Sequence, residues 1–188
     1  MNAPMPGQEN TDARSGTAVQ SLLDDGFCPI AAADYQVCGF SRERARQAMA
    51  ALLEQGVDFD CVICDNDEMA LGVIEALEAA GWDPGAAPIV SVDHTAEGAA
   101  ALESGKLSGF GFDVHENEVE FVRKKMPIDQ IHDPVFKALL QRDDAIYSPH
   151  VAFYTDAAIL NMIDVSLDNL KEYETTGKCR NEVNPQGF

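Results

Sequence analysis

The sequence has few basic residues, and they are unevenly distributed. Lys and Arg number 13 against 32 Asp and Glu, which gives a formal net charge of −19, and neither basic residue occurs between Gln47 and Gly105. Such a surface repels phosphate backbones and anionic lipid, so neither nucleic acid nor a membrane surface is expected as a partner. We interpret the acidity itself as a solubility feature.

The sequence also lacks long apolar runs, a signal sequence and a cysteine framework. No apolar segment approaches the length of a membrane span. Residues 1–14 have no basic region followed by an apolar stretch, so we expect a disordered leader and no signal peptide. Five cysteines without framework spacing predict free thiols in a reducing cytoplasm. Cys61 and Cys64 have CxxC spacing, but without a second ligand pair they are predicted to be buried thiols, and no metal site is expected.

From Ser15 onward, the sequence alternates between helical and strand periods. Strands are predicted over the short apolar runs at 28–35, 59–64, 88–92, 109–114 and 145–148. Helices are predicted between them, with Ser41, Thr95 and Asp133 as N-cap residues, and a long helix follows from Thr155 to about Thr176. The pattern predicts a single α/β domain with a doubly wound parallel sheet, a Rossmann-like or flavodoxin-like three-layer sandwich.

Polar side chains follow four of the predicted strands, at the point where each strand ends. They are Asp65-Asn66-Asp67, Asp93-His94, Asp113 to Glu118, and Pro149-His150. Right-handed connections place the carboxyl ends of parallel strands on one edge of the sheet, where such folds bind ligands. The sequence therefore predicts a small-molecule site at this edge.

The segment CDNDEMALGVIEAL at 64–77, with PIVSVDHT at 88–95, resembles the C-terminal lobe of the periplasmic sugar-binding and LacI-type repressor superfamily. The resemblance covers about residues 12–108. It implies that Asn66 and Asp93 hydrogen-bond sugar hydroxyls, a role that suits amide and carboxylate groups. Helix capping is the alternative for this turn, and we expect Asp67 to be the cap and Asn66 the ligand residue.

The segment DVHENE at 113–118, the segment SPHVAFYT at 148–155 and the final helix are similar to motifs of D-lactate dehydrogenases, within the D-2-hydroxyacid dehydrogenase family. This resemblance covers about residues 102–185. The two resemblances meet in one chain, which we interpret as a chimera of a half at 15–108 and a half at 109–180, with a tail at 181–188.

The dehydrogenase resemblance implies an acid/base pair. His150 would exchange the proton of the substrate oxygen, Glu118 would support it, Asp113 would lie on the cofactor side and Phe153 on the ligand side. NAD is implied as the cofactor by this resemblance only. A nearby carboxylate suits the role because it favours the charged form of the histidine.

The sequence departs from the dehydrogenase pattern in two respects. The family's substrate-binding arginine falls in a region that here contains no Arg or Lys, and the G-x-G-x-x-G fingerprint is absent, since Gly109-Phe-Gly111 lacks the third glycine. We therefore predict a D-2-hydroxyacid dehydrogenase-like domain with weak or no activity. The alternative is a non-catalytic sugar-binding domain.

The final helix has an apolar face without an assigned partner. Its members are Ile159, Met162, Ile163, Leu167 and Leu170. In the dehydrogenases this helix packs toward the substrate domain, which has no counterpart here. These residues are therefore expected either to cover the sheet or to pair with another chain, as in a homodimer.

Overall fold

The structure is a computed structural model that describes residues 17–26, 36–122, 124–151, 153–154 and 156–183. It contains two compact units, Met1–His150 and Val151–Phe188. The predicted leader at 1–14 and the predicted strand at 28–35 lie outside the described residues. The α/β fold class with a parallel sheet is confirmed.

The first unit is organised around a four-stranded parallel sheet. Its strands are β1 (Val62–Ile63), β2 (Ile89–Val92), β3 (Gly109–Phe112) and β4 (Ala145–Tyr147), in the order β1-β2-β3-β4. In the register, Val90 is opposite Gly109 and Phe112 is opposite Tyr147. The sheet therefore continues without interruption from the sugar-lobe-like half into the dehydrogenase-like half.

The helices begin where local capping chemistry predicts. They are α1 (Thr17–Asp24), α2 (Arg42–Glu54), α3 (Asp67–Ala79), α4 (Ala96–Glu103) and α5 (Pro134–Leu139), with 3-10 turns at Pro84–Ala86, Glu118–Glu120 and Ile128–Gln130. The side chains of Ser41, Thr95 and Asp133 each accept a backbone N–H of the first turn, so these three predicted caps are confirmed. Gly81 and Gly105 end their helices at positive φ, as a left-handed terminal residue must.

One face of the sheet packs on the helices that connect the strands. Successive right-handed connections in this strand order place α3, α4 and α5 on the same side. Ser91 of β2 donates to Asp67 of α3, and the ring of Phe136 in α5 lies edge-on against Phe112 and Tyr147. Because side chains alternate along a strand, the residues between these positions point to the opposite side.

The two CxxC cysteines have different environments. Cys64 is buried, and burial raises the pKa of its thiol to about 12. Cys61 is exposed, so the prediction of two buried thiols is correct only for Cys64. Positions three apart in an extended segment face opposite sides, which accounts for the difference.

The second unit contains α6 (Asp156–Thr176), a helix of 21 residues. Its predicted cap, Thr155, lies outside the described residues. Most of its apolar side chains are exposed, including Leu160, Ile163 and Leu170.

Candidate functional site

His150 and Glu118 form a hydrogen-bonded pair just beyond the carboxyl ends of β4 and β3. His150 Nδ1 lies 2.5 Å from Glu118 Oε1. The His150 side chain is 41% exposed and that of Glu118 is 17% exposed, so the pair sits at the surface with its carboxylate partly covered. The structure thus brings together the two residues to which the sequence assigned acid/base roles.

Backbone contacts hold both members of this pair. The His150 N–H donates to the carbonyl oxygens of Asp113 and Ser148, each at 2.9 Å, and His150 has a left-handed φ of 52°. The second Glu118 oxygen accepts the backbone N–H of His115 at 3.2 Å. Left-handed backbone at a histidine is uncommon, and here it is fixed by the contacts at the end of β4.

Asp113 connects the ends of β3 and β4. The Ser148 hydroxyl donates a hydrogen bond to the Asp113 carboxylate, while the Asp113 carbonyl oxygen accepts one from the backbone N–H of His150. Its assignment to the cofactor side stays a prediction. Its described contacts show that it positions the strand end that carries His150.

The turn after β1 corrects the predicted division of roles between Asn66 and Asp67. Asn66 is the N-cap residue of α3, because its Oδ1 accepts the Met69 N–H at 3.0 Å. Asp67 is instead buried and accepts hydrogen bonds from Ser91 Oγ at 2.5 Å, Thr95 N at 2.6 Å and Thr95 Oγ1 at 2.9 Å. The predicted sugar-binding role of Asn66 is untested, but its Oδ1 already accepts a backbone N–H at the start of α3.

The turn after β2 has an unusual backbone conformation. Asp93 and His94 have φ values of 124° and 67°. The His94 ring stacks on Phe110, with ring centroids 4.5 Å apart, and burial lowers the pKa of His94. Non-glycine residues at positive φ often occur at ligand sites, so the turn agrees with the predicted role of Asp93 without testing it.

A third group of residues, which the sequence did not indicate, lies beneath this edge. The side chain of His115 is only 12% exposed, and its Nε2 lies 3.3 Å from Asp133 Oδ2. The hydroxyl oxygen of Tyr147 is buried without a hydrogen-bond partner. Burial, followed by the charges of Glu118 and Asp113, raises the pKa of Tyr147.

Phe153 belongs to the second unit. It is half-buried and its ring lies edge-on to Tyr154, with centroids 5.9 Å apart. Its predicted ligand role is untested.

Among the described residues, no group of three or more His, Cys, Asp or Glu side chains could hold a metal ion. None of the described helices has the length and apolarity required to cross a membrane.

The N-termini of α3, α4 and α5 do not fit the pyrophosphate of a nicotinamide dinucleotide. Such a group binds free N–H groups at a helix start. The first turn of α3 instead contains the carboxylate of Asp67, and the Thr95 N–H before α4 already donates to it. At α5, Asp133 Oδ1 accepts the first free N–H groups at 2.9 Å. Carboxylates at these positions repel phosphate.

Comparison with known proteins supports both resemblances. The chain is 40% identical over 83 residues to D-lactate dehydrogenase of Lactiplantibacillus plantarum, which covers 44% of this chain and 25% of that protein. It is 38% identical over 82 residues to D-2-hydroxyacid dehydrogenase (NAD+) of Lacticaseibacillus paracasei, with 44% and 25% coverage. The chain thus spans about a quarter of the length of these relatives.

Solved structures with bound sugars or polyols match more than half of the chain. An ABC transporter solute-binding protein of Bacillus halodurans with bound myo-inositol is 30% identical, with a TM-score of 0.53, over 58% of this chain and 37% of that one. A Mycobacterium smegmatis protein in complex with β-D-fucofuranose is 33% identical, with a TM-score of 0.50, over 58% and 36%. The family model for the periplasmic binding protein domain matches residues 3–117, more than half of the chain. The chain therefore belongs to the periplasmic binding protein domain family.

Proposed function

We propose that the chain is a D-2-hydroxyacid dehydrogenase-like domain whose His150–Glu118 pair binds 2-oxo or 2-hydroxy acids, with weak or no turnover. The observation that carries this proposal is the 2.5 Å contact between His150 Nδ1 and Glu118 Oε1 at the carboxyl edge of the sheet. The similarity to D-lactate dehydrogenases supports it.

The chemistry of the pair follows from which nitrogen faces the carboxylate. When Glu118 accepts the proton on Nδ1, the tautomer is fixed and Nε2 becomes the nitrogen that exchanges a proton with a substrate oxygen. Protonated His150 would then donate to the keto oxygen of a 2-oxo acid.

Weak turnover is proposed because two other requirements are poorly met. The starts of α3, α4 and α5 contain carboxylates, which oppose a dinucleotide phosphate, and we assign no hydride step to the chain. The substrate is an anion, whereas the edge contains Asp93, Asp113 and Glu118 and the chain has a net charge of −19. Repulsion by these carboxylates should therefore weaken the binding of a 2-oxo acid.

Titration with pyruvate, followed by NMR of the ligand and of the histidine ring protons, tests this proposal. We expect saturable binding with a dissociation constant on the order of millimolar, which corresponds to about 4 kcal/mol. His150→Ala should abolish it. His132→Ala is the matched control, because His132 also contacts a carboxylate, Glu120, at 2.7 Å but is 89% exposed.

The same variants test catalysis through NADH consumption with pyruvate. Any rate above background should disappear in His150→Ala, fall in Glu118→Gln and persist in His132→Ala. Equal binding and equal rates in the His150→Ala variant and the unmodified chain would contradict the proposal.

Sugar or polyol binding is the second candidate function, and membership of the periplasmic binding protein domain family favours it. The proteins with bound myo-inositol and β-D-fucofuranose, both at least 30% identical, support a neutral hydroxylated ligand. Such a ligand avoids the charge repulsion that a 2-oxo acid meets. Asp93 would accept its hydroxyl groups, while Asn66 would donate through Nδ2, since Oδ1 caps α3.

Calorimetric titration with myo-inositol and monosaccharides tests this second candidate. We expect weak saturable binding that is lost in Asp93→Ala and retained in Asp60→Ala, an exposed carboxylate just before β1. Absence of saturation for every compound at tens of millimolar would exclude it.

We also propose a reducing compartment for the chain. Three described cysteines, Cys61, Cys64 and Cys179, are free thiols, which supports the predicted cytoplasmic location. Fractionation of cells that express the chain, with thiol labelling of each fraction, tests this.

A further inference from the structure

His150 has a backbone conformation that residues with a Cβ seldom adopt. Its φ of 52° lies in the left-handed region, which is unfavourable for every residue except glycine. Such a conformation persists only where the surrounding contacts hold it. The contacts around His150 should therefore include a group whose function is to keep this backbone in place.

The backbone conformation of His150 decides where its imidazole ring lies. Because φ is the rotation about the N–Cα bond, a change to negative φ would swing the Cβ atom away from its present direction. The ring nitrogen Nδ1 lies 2.5 Å from Glu118 Oε1, so a displacement of the ring by one ångström would already break this contact. The His150–Glu118 pair therefore depends on the left-handed backbone as well as on the two side chains.

Two main-chain hydrogen bonds fix the backbone of His150. Its N–H donates to the carbonyl oxygens of Asp113 and Ser148, each at 2.9 Å. Ser148 follows β4 directly, whereas Asp113 follows the neighbouring strand β3. One of the two acceptors thus belongs to another strand, and its position relative to β4 must itself be fixed.

The Ser148 side chain connects these two strand ends. Its hydroxyl donates to the carboxylate of Asp113, and its backbone N–H donates to the Phe112 carbonyl oxygen at 3.0 Å. A hydrogen bond to an ionised acceptor is stronger than one between neutral groups. Ser148 therefore binds Asp113 through its side chain and presents its own carbonyl oxygen to His150.

Glu118 is held from the same segment of chain. Its Oε2 accepts the backbone N–H of His115 at 3.2 Å, while its Oε1 faces His150. Asp113 and His115 are two residues apart, so one short segment positions both members of the pair. A shift of this segment relative to β4 would change the distance between the imidazole and the carboxylate.

We propose that Ser148 is a positioning residue for the His150–Glu118 pair, a role that rests on the acid/base function proposed for this pair, and that it acts through the Asp113 carboxylate. Without the hydroxyl, the ends of β3 and β4 lose this connection and the left-handed backbone of His150 relaxes. Nδ1 then loses its fixed acceptor, and the ring exchanges between its two neutral tautomers.

NMR of the ring nitrogens, with the complete chain labelled at histidine, tests the proposal because the nitrogen shifts report which atom has the proton. The His150 signals are identified by their absence in His150→Ala. At the alkaline end of a pH series, we expect one tautomer in the unmodified chain, protonated on Nδ1. In Ser148→Ala, the two nitrogen shifts should move toward the averaged values of a free imidazole.

Ser148→Thr and Ser148→Val are the matched pair of variants, because the two side chains have nearly the same shape and only threonine has a hydroxyl. Ser148→Thr should keep the shifts of the unmodified chain, and Ser148→Val should resemble Ser148→Ala. Ser104→Ala removes a hydroxyl that donates to the Ala101 carbonyl oxygen at 3.1 Å, at the end of α4, and should leave the His150 shifts unchanged. Circular dichroism verifies that each variant is folded.

Pyruvate titration of the same variants connects the position of the ring with ligand binding. We expect the dissociation constant to rise about tenfold in Ser148→Ala and Ser148→Val and to stay unchanged in Ser148→Thr. Ring shifts that do not differ between Ser148→Thr and Ser148→Val would overturn the proposal. A chain that shows this difference but binds no pyruvate would contradict the proposed function and still confirm the positioning role of Ser148.

Discussion

Replacing Asp67 by alanine tests whether one buried carboxylate holds the carboxyl edge of the sheet together. Asp67 is 1% exposed and accepts hydrogen bonds from Ser91 Oγ, Thr95 N and Thr95 Oγ1. It thereby joins the start of α3 to β2 and to the cap of α4. Alanine leaves the buried Ser91 hydroxyl and the Thr95 N–H without this partner.

The expected loss of stability follows from these three contacts. A hydrogen bond to a charged group contributes about 1.5–3 kcal/mol, but the desolvation of the carboxylate offsets part of the sum. We therefore expect Asp67→Ala to lower the free energy of unfolding by about 3–5 kcal/mol. At about 2–4 °C for each kcal/mol in a chain of this size, the melting temperature should fall by roughly 10 °C or more.

Urea unfolding followed by circular dichroism measures this loss. Asp67→Asn should lower the free energy of unfolding by less than Asp67→Ala does, because the amide oxygen still accepts hydrogen bonds. Asp60→Ala removes an exposed carboxylate and should change stability by less than about 0.5 kcal/mol. A loss below about 1 kcal/mol in Asp67→Ala would refute the reasoning, since it would show that these contacts contribute little net stability.

Three further substitutions test other contacts. Gly98→Ala should destabilise the chain by about 1–3 kcal/mol in thermal melts, although alanine is the better helix former, because an added Cβ would lie 2.2 Å from Asp67 Oδ2; an unchanged or higher melting temperature would contradict this. Tyr147→Phe should be neutral or stabilising by up to about 1 kcal/mol, because it removes a buried hydroxyl without a partner; a clear loss would indicate that the hydroxyl has one. The Phe136 N–H, then the Asn117 amide, lower the pKa of Asp133 from 3.8 to about 2. Its contribution is therefore present above pH 4 and lost as the pH falls toward 2. Asp133→Asn should make the melting temperature depend less on pH between about 2 and 4. An unchanged pH dependence of the melting temperature in this range would exclude this role.

Helix starts could be predicted from the sequence because capping is local. The side chains of Ser41, Thr95 and Asp133 each accept a hydrogen bond from a backbone N–H two or three residues later. Both partners therefore lie within one short segment of sequence. The same holds for Gly81 and Gly105 at helix ends. The four predicted strands within the described residues were placed correctly but are shorter than predicted, because pairing with a neighbour decides where a strand ends.

Roles that depend on distant residues were predicted less well. At Asn66-Asp67, both residues can cap a helix, and the sequence favoured the wrong one. The choice depends on Ser91 and Thr95, which lie 24 and 28 residues beyond Asp67 and bind its carboxylate. The burial of His115 could not be predicted for a similar reason: its contact with Asp133 spans 18 residues and has no local signal.

The sequence by itself determined the alternation of strands and helices, the edge at which polar residues collect and the point near residue 108 where two family patterns meet. These follow from periodicity, turn chemistry and short motifs. The tertiary structure decided that His150 meets Glu118 across 32 residues of chain, and that Asp67 rather than Asn66 is the buried residue that joins α3 to Ser91 and Thr95. The physical reason is that strand register and helix packing set distances between segments, and no local pattern encodes them.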